Sequence, residues 1–357
     1  MVRIAVVGAG LIGKRHAEAI ASTRNVALSA IVDPVPSGKE FAAAMGAAWH
    51  GSLNSLLAQG DSDGIIVAVP NELHVPLGLE CIAAGLPTLI EKPLASDISG
   101  AQALVDAAAA ADVALAVGHH RRHNPLIAHA REQITSGRLG KISAVHGMFW
   151  VRKPDDYFNN AWRRGPGAGP LLINLIHDID LLRHLVGEII RVQAITSNTL
   201  RGHEVEDGAA IVMHFENGAL GTFNLSDGVP SPWSWELASG ENPAYPVGGQ
   251  SCYFIGGTMA SMELPSCRIW ENQGSGKPGG WWDPIIASRC AVPAGEPLAR
   301  QIAQFAQVIR GLETPVAPAS EGLRSLMVVE AVRQSAREGA PVSLPGSDGA
   351  MNGDRTS

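Results

Sequence analysis

Three glycines, Gly8, Gly10 and Gly13, fall within "VVGAGLIGKRH", where an apolar run ends and a helix-forming run begins. In this pattern the first glycine makes a tight turn, the second lets backbone approach a pyrophosphate, and the third lets helix pack on strand. The unpaired N–H groups and positive dipole end of the helix then favour an anion at the turn, beside Leu11 and Ile12. Asp33, at the end of "ALSAIVD", follows Gly13 by twenty positions, the spacing for a carboxylate that accepts hydrogen bonds from an adenosine ribose. That carboxylate repels a 2′-phosphate, and Pro34 rather than an arginine follows it, so the loop is read as a site for NAD in preference to NADP.

Two further groups have proton chemistry. Lys92 in "PTLIEKP" ends an apolar run, where desolvation lowers an ammonium pKa and the side chain can hydrogen-bond a reacting oxygen. On those residues alone, a surface lysine after a strand is the better account. In "LLINLIHDIDLLRHL", Asn174, His177 and Asp178 stand at i, i+3 and i+4 and share a helix face, leaving Leu172, Ile176, Ile179 and Leu182 for the core. An imidazole titrates near neutrality and serves as base in an oxidation and acid in a reduction, although a packed core histidine is the competing account. His16, His74, His119, His120, His123, His177 and His184 show neither an HExxH pattern nor a cysteine–histidine spacing, so no metal site is expected.

The elements that must position these residues alternate. From position 3 to about 118, short Ile- and Val-rich runs such as "RIAVVG", "ALSAIVD", "GIIVAVP" and "VALAVG" alternate with helix-like stretches, the order of a parallel sheet covered on both faces. After about 122 the pattern changes to alternating segments joined by hairpin signals such as Asn217-Gly218, which predicts an antiparallel or mixed sheet with one helix-covered face. The expected architecture is therefore α/β, a dinucleotide-binding Rossmann domain over 1–122 and an α+β domain with a large open, mostly antiparallel sheet over 123–346. Residues 347–357 are polar and expected to be disordered.

Composition narrows the partners. The net charge of −7 and the scattered Lys and Arg residues leave no footprint for nucleic acid. No stretch is apolar enough for a membrane span, and the strand-like "MVRIAVVG" leaves no room for a signal peptide. Cys81, Cys252, Cys267 and Cys290 form no CxxC pair, which fits reduced thiols in a cytoplasm.

"GAGLIGKRH", "VAVPNELH", "IEKPLA" and "VGHHRRHNP", with "KPDDYFNNAWRRGPGAGPLLINLIHDIDLLRHLVGEI" and the closing "EAVRQSAREGAPVSL", resemble the glucose-fructose oxidoreductase and inositol dehydrogenase (Gfo/Idh/MocA) family over nearly the whole chain. The resemblance implies hydride transfer to or from a nicotinamide, in a cleft between a Rossmann domain and a second domain whose open sheet serves homodimer or homotetramer contacts. It makes Lys92 and His177 the catalytic pair, and it places Pro70, Asn71, His74 and Glu91 beside the cofactor. Arg121, Arg122, Tyr157, Trp162 and Arg163 fall in segments that border the substrate, as do Lys153 and Arg164. The chain departs from the family pattern at one point: the aspartate common four residues before the histidine is Ile173, and Asn174 is the nearest polar candidate to orient substrate or imidazole.

The implied substrate is a secondary alcohol of a sugar, inositol or related cyclic polyol. Three alternatives stay open: an anionic hydroxy acid or dihydrodiol carboxylate held by the arginines, a tightly bound cofactor recycled between two substrates, and a non-catalytic NAD(H) sensor. Trp162, Trp233, Trp235 and Tyr245 offer aromatic faces for a sugar ring, with core packing as the other account, and Glu236 is a weaker candidate for a substrate hydroxyl.

Overall fold

Strand Val2–Val7 (β1) is buried at every position but Arg3, and after a turn at Gly8–Gly10 the chain enters helix Leu11–Ser22 (α1). The structure is a computed structural model that describes residues 1–165, 167–272 and 279–347. Five more strands, Val26–Val32 (β2), Ala48–His50 (β3), Gly64–Val67 (β4), Thr88–Ile90 (β5) and Leu115–Val117 (β6), join β1 in the order β3-β2-β1-β4-β5-β6, all parallel. Helices Pro36–Ala44 (α2), Leu53–Gln59 (α3), His74–Ala83 (α4) and Ile98–Ala111 (α5) connect them. Ile4, Ile31, Ile65, Ile66 and Ile90 are fully buried, which is why these strands read as unbroken apolar runs. The strand order reverses between β1 and β4, and in such sheets ligands bind outside the strands' carboxyl ends at that reversal.

The second unit is built on a nine-stranded sheet. Its elements are Pro125–Thr135 (α6), Ile142–Trp150 (β7), Pro170–Ile173 (α7), Leu175–Val186 (α8), Ile189–Ser197 (β8), Gly208–Phe215 (β9), Leu220–Ser226 (β10) and Trp235–Ala238 (α9). Tyr253–Gly257 (β11), Ala260–Leu264 (β12), Arg268–Asn272 (β13) and Ile285–Arg289 (β14) complete one side of the sheet. Its order is β14-β13-β12-β11-β7-β10-β9-β8-β15, with Val342–Ser343 as β15. Every neighbouring pair is antiparallel except β7 with β10. Residues alternate between the two faces, as period-two strands require: Ala209, Ile211, Met213 and Phe215 point inward while Val212 is half exposed.

The chain divides into two compact units, and the first takes in a later segment of the 123–346 stretch that the sequence assigns to one domain. The first compact unit is Met1–Asn124 with Gly295–Leu326, and the second is Pro125–Ala294 with the residues from Met327 on. The cause is helix Pro297–Ile309 (α10), whose Leu298, Ile302 and Phe305 join the apolar cluster of Ile4, Val6 and Ile20. A one-sided apolar helix must bury that side, and its sequence does not say against which domain. Val117 N–H also donates to Ala317 O at 2.9 Å, fastening the returning segment to β6 before helix Ala319–Glu338 (α11) begins. Of the expected disordered tail, 348–357 lies outside the described residues. Among the described residues no helix is long and apolar enough to cross a membrane.

Candidate active site

Four backbone hydrogen bonds define one ledge along the carboxyl ends of the first sheet. Gly8 N–H donates to Val32 O (2.8 Å), Ala68 N–H to Val7 O (2.8 Å), Glu91 N–H to Val67 O (2.9 Å) and Gly118 N–H to Ile90 O (2.7 Å). The glycine loop, Asp33, the start of "PNELH" and Glu91-Lys92 are therefore neighbours because each leaves an adjacent parallel strand.

The loop fits a dinucleotide. Gly8 has a φ of +102°, and a Cβ there would lie 2.3 Å from Ala68 O; a Cβ on Gly13 would lie 2.0 Å from Gly8 O. Both glycines are thus required by the fold. Gly10 differs, since a Cβ on it would meet nothing within 4 Å, and Leu11 is 86% exposed. Open space over Gly10 is what a close-approaching pyrophosphate needs. Helix α1 has no acidic residue in its first turn and no side-chain cap, so its first N–H groups remain available to phosphate oxygens. The half-buried Asp33 accepts Ala9 N–H (2.7 Å) and Val35 N–H (2.8 Å), so its carboxylate is already aimed at the loop. Pro70 and Asn71 are exposed on the same ledge.

Two residues expected to touch the cofactor face the protein instead. His74 is fully buried, with Nδ1 2.8 Å from Pro93 O and Nε2 3.0 Å from Val69 O. Burial pushes its pKa down, against the pull of the two carbonyls. Both ring nitrogens therefore face carbonyls of the protein, a neutral ring donating to one of them at a time, and neither is turned out to a ligand. Glu91 is 5% exposed and turns its carboxylate to His16 Nε2 (2.7 Å) and to Lys92 N–H (3.1 Å). A contact from "EKP" to cofactor is left to half-buried Lys92.

In the second unit the expected continuous helix breaks. Asn174, at φ −108° and ψ −55°, separates α7 from α8, and its carbonyl accepts His177 N–H at 3.1 Å. Asn174 Oδ1 is buried with no hydrogen-bond partner among the described residues, so it is poised for a ligand or a side chain that moves. His177 lies in the first turn of α8, 8% exposed; Asp178 beside it is fully buried and accepts the hydroxyl of Tyr253. Glu206 Oε1 caps α7 by accepting Leu171 N–H at 3.0 Å, and burial pushes that carboxyl's pKa up. His16, Asp178, Glu206 and Tyr253 were not singled out as site residues from sequence. For His16 a signal existed, a polar ring on the buried side of α1 three residues after Gly13.

The cations have internal duties. Arg122 donates to Glu321 (2.8 Å) and to Val316 O (3.3 Å), both on the returning segment, so it fastens the first unit and is not placed as a substrate ligand. Arg122→Ala is expected to destabilise the protein by about 2 kcal/mol, because a buried pair loses one partner, and to leave KM unchanged. Thermal unfolding beside steady-state kinetics checks this. Arg121 is buried too, at 4% exposure. Arg163 donates to Tyr157 O (2.9 Å) and lies over the Tyr157 and Trp162 rings at 4.0 and 5.4 Å. Lys153 pairs with Asp227 at 3.3 Å, and Arg201 pairs with the same carboxylate. Trp235 is a core residue, 1% exposed, with Nε1 donating to Glu241 at 2.8 Å, whereas Trp162 is 61% exposed.

Comparison with known proteins agrees with the Rossmann topology of the first unit. Residues 2–119 match the profile of an oxidoreductase family with an NAD-binding Rossmann fold, and residues 127–257 match the GFO/IDH/MocA C-terminal domain. The rhizopine catabolism protein MocA of Rhizobium meliloti is 28% identical over 232 residues, 64% of this chain and 72% of that protein. Inositol 2-dehydrogenase 2 of Saccharopolyspora erythraea is 30% identical over 225 residues, 61% of this chain and 64% of that protein. Among solved structures, the WlbA dehydrogenase of Bordetella pertussis in complex with NADH and UDP-GlcNAcA is 27% identical with a TM-score of 0.75, over 96% of this chain and 99% of that one.

Proposed function

Because the chain belongs to the Gfo/Idh/MocA family of oxidoreductases, with an NAD-binding Rossmann domain, we propose that it oxidises a secondary alcohol of a neutral sugar, inositol or related cyclic polyol. Bound NAD supplies the hydride acceptor: a C–H and an O–H bond of the carbinol break, a C=O bond forms, and one proton is released to the protein. Lys92 hydrogen-bonds the reacting oxygen and stabilises its developing negative charge. His177 takes the hydroxyl proton, and Asn174 orients imidazole or substrate where the family's aspartate is replaced by Ile173.

The observation that carries this reading is the ledge, on which Glu91 and Lys92 leave β5, separated from the glycine cradle by β4 alone. A neutral substrate is favoured because Arg122, Arg163 and Lys153 are engaged by Glu321, Tyr157 and Asp227. The relative that is an inositol 2-dehydrogenase supports a cyclic polyol.

The test is NADH formation, followed at about 340 nm, with NAD and NADP in parallel, across inositols and neutral sugars and across sugar acids and cyclic carboxylates. Turnover with NAD and neutral polyols is expected. Turnover only with acids would return the arginines to the substrate, and NAD binding without any turnover would overturn the enzymatic reading. Absorbance of NADH on the purified protein would identify a cofactor recycled in place.

The open face of the second sheet is read as the contact between copies of this chain. Ile195, Val212, Leu220, Phe254 and Trp270 are all exposed on it, and a groove of about 560 Å³ runs between Val212, Phe254 and Trp270. Apolar area on this scale favours burial against a like surface. Phe254→Asp is expected to shift the sedimentation profile from dimers or tetramers towards monomers. All four cysteines are free thiols, which supports a reducing, cytoplasmic location.

A further inference from the structure

We propose that His16 is a positioning residue for Lys92: through the Glu91 carboxylate it ties the helix that opens the glycine loop to the backbone and charge surroundings of that lysine. The inference rests on the reading of Lys92 as catalytic, and its observations are independent of that reading.

Three elements build the device. From α1, His16 is fully buried and places Nε2 2.7 Å from Glu91 Oε1. Its Nδ1 is buried with no partner among the described residues, and Nε2 donates to the carboxylate. From the end of β5, Glu91 Oε2 accepts the N–H of Lys92 at 3.1 Å. From the end of β6, Gly118 leaves the space, since a Cβ there would lie 2.8 Å from both Cδ and Oε1 of Glu91. A carboxylate in a slot shaped for it, with one oxygen on an imidazole and the other on the next residue's amide, fixes where the Lys92 side chain starts.

The carboxylate is also a charge. Burial is the largest single influence and raises its pKa, but the His16 hydrogen bond and the charges of His16, His120 and Lys92 together outweigh it and bring it down from 4.5 to about 2. His74, from α4, is a further titratable ring near it. Glu91 is therefore anionic at neutral pH, and an anion at that position favours a neighbouring ammonium. Without His16 the buried carboxyl has lost its principal donor and takes up a proton more readily. In effect α1, which receives the pyrophosphate at its N-terminus, reaches Lys92 from its second turn.

The test combines a mutant cycle with a titration of the lysine itself. His16→Met is expected to lower kcat by up to about 100-fold with NAD affinity unchanged, because a displacement of the order of an ångström at a reacting group costs that much. His16→Gln, whose amide donates from nearly the same position, restores most of it. In a Glu91→Gln background, His16→Met should cost little further, since both act through one carboxylate. Reductively methylated with ¹³C and without cofactor, Lys92 is identified by the resonance lost in Lys92→Arg. Its titration midpoint should fall by about one pH unit in Glu91→Gln, as the neighbouring anion is removed. An equal kcat loss from His16→Met in both backgrounds overturns the proposal, as does an unchanged midpoint in Glu91→Gln, which remains readable if His16→Met does not fold. Undiminished turnover of Lys92→Met in the polyol assay would instead overturn the catalytic reading of Lys92.

Discussion

Lys92→Met is expected to lower kcat by about 10³-fold while leaving NAD affinity within about threefold of the parent protein. Removing one preorganised donor to a developing oxyanion costs about 10²- to 10³-fold, and loss of a proton partner in the same network adds to it. Methionine keeps the length and apolar stem of the lysine, so the half-buried site is filled and Glu91 still accepts the residue 92 N–H. Affinity is expected to persist because the anchors proposed for the cofactor, the α1 N-terminus, the glycine turn and Asp33, lie away from β5. Steady-state kinetics with the polyol identified by the substrate panel, beside NAD titration by fluorescence, checks both halves. A fall in affinity equal to the fall in kcat would mean that Lys92 is chiefly a cofactor ligand.

What was legible in the sequence was what short-range spacing encodes. Gly8, Gly10 and Gly13 announce a turn and a helix start, and Asp33 closes the next strand, because a parallel βαβ unit fixes these offsets. The apolar runs of β1, β4 and β5 announce burial on both faces. The remainder depended on contacts distant in sequence. His16 meets Glu91 across 75 positions and Arg122 meets Glu321 across 199, and neither pairing leaves a periodic trace. His74 looked like a cofactor contact because it stands on the right ledge, yet its ring turns inward to Pro93 O and Val69 O. The place of helix α10 with the first unit was not legible, since an apolar face specifies burial and not its partner. The break at Asn174 was hidden because one residue out of helical register leaves the i, i+3, i+4 pattern around His177 almost intact.

The second large effect separates folding from cofactor binding within one loop. Gly13→Ala is expected to weaken NAD binding by about 100-fold, close to 3 kcal/mol, and to lower stability by about 1–3 kcal/mol. The added Cβ would sit 2.0 Å from Gly8 O and 3.0 Å from Gly8 C, both backbone atoms, so either α1 withdraws from the strand end or the Gly8 turn opens. Each movement takes the N–H groups away from the pyrophosphate they are placed to receive. Gly10→Ala tests the same loop without the clash: its φ of −71° suits alanine and a Cβ would meet nothing within 4 Å. By reducing the freedom of the unfolded chain, that substitution should leave stability unchanged or raised by about 0.5 kcal/mol. Its methyl nevertheless occupies the space over the loop, so NAD affinity should fall while the melting temperature does not. Calorimetric titration with NAD beside thermal unfolding of the two variants reads the contrast. Equal NAD affinity in Gly10→Ala and the parent would show that the open space over Gly10 is not where the pyrophosphate lies.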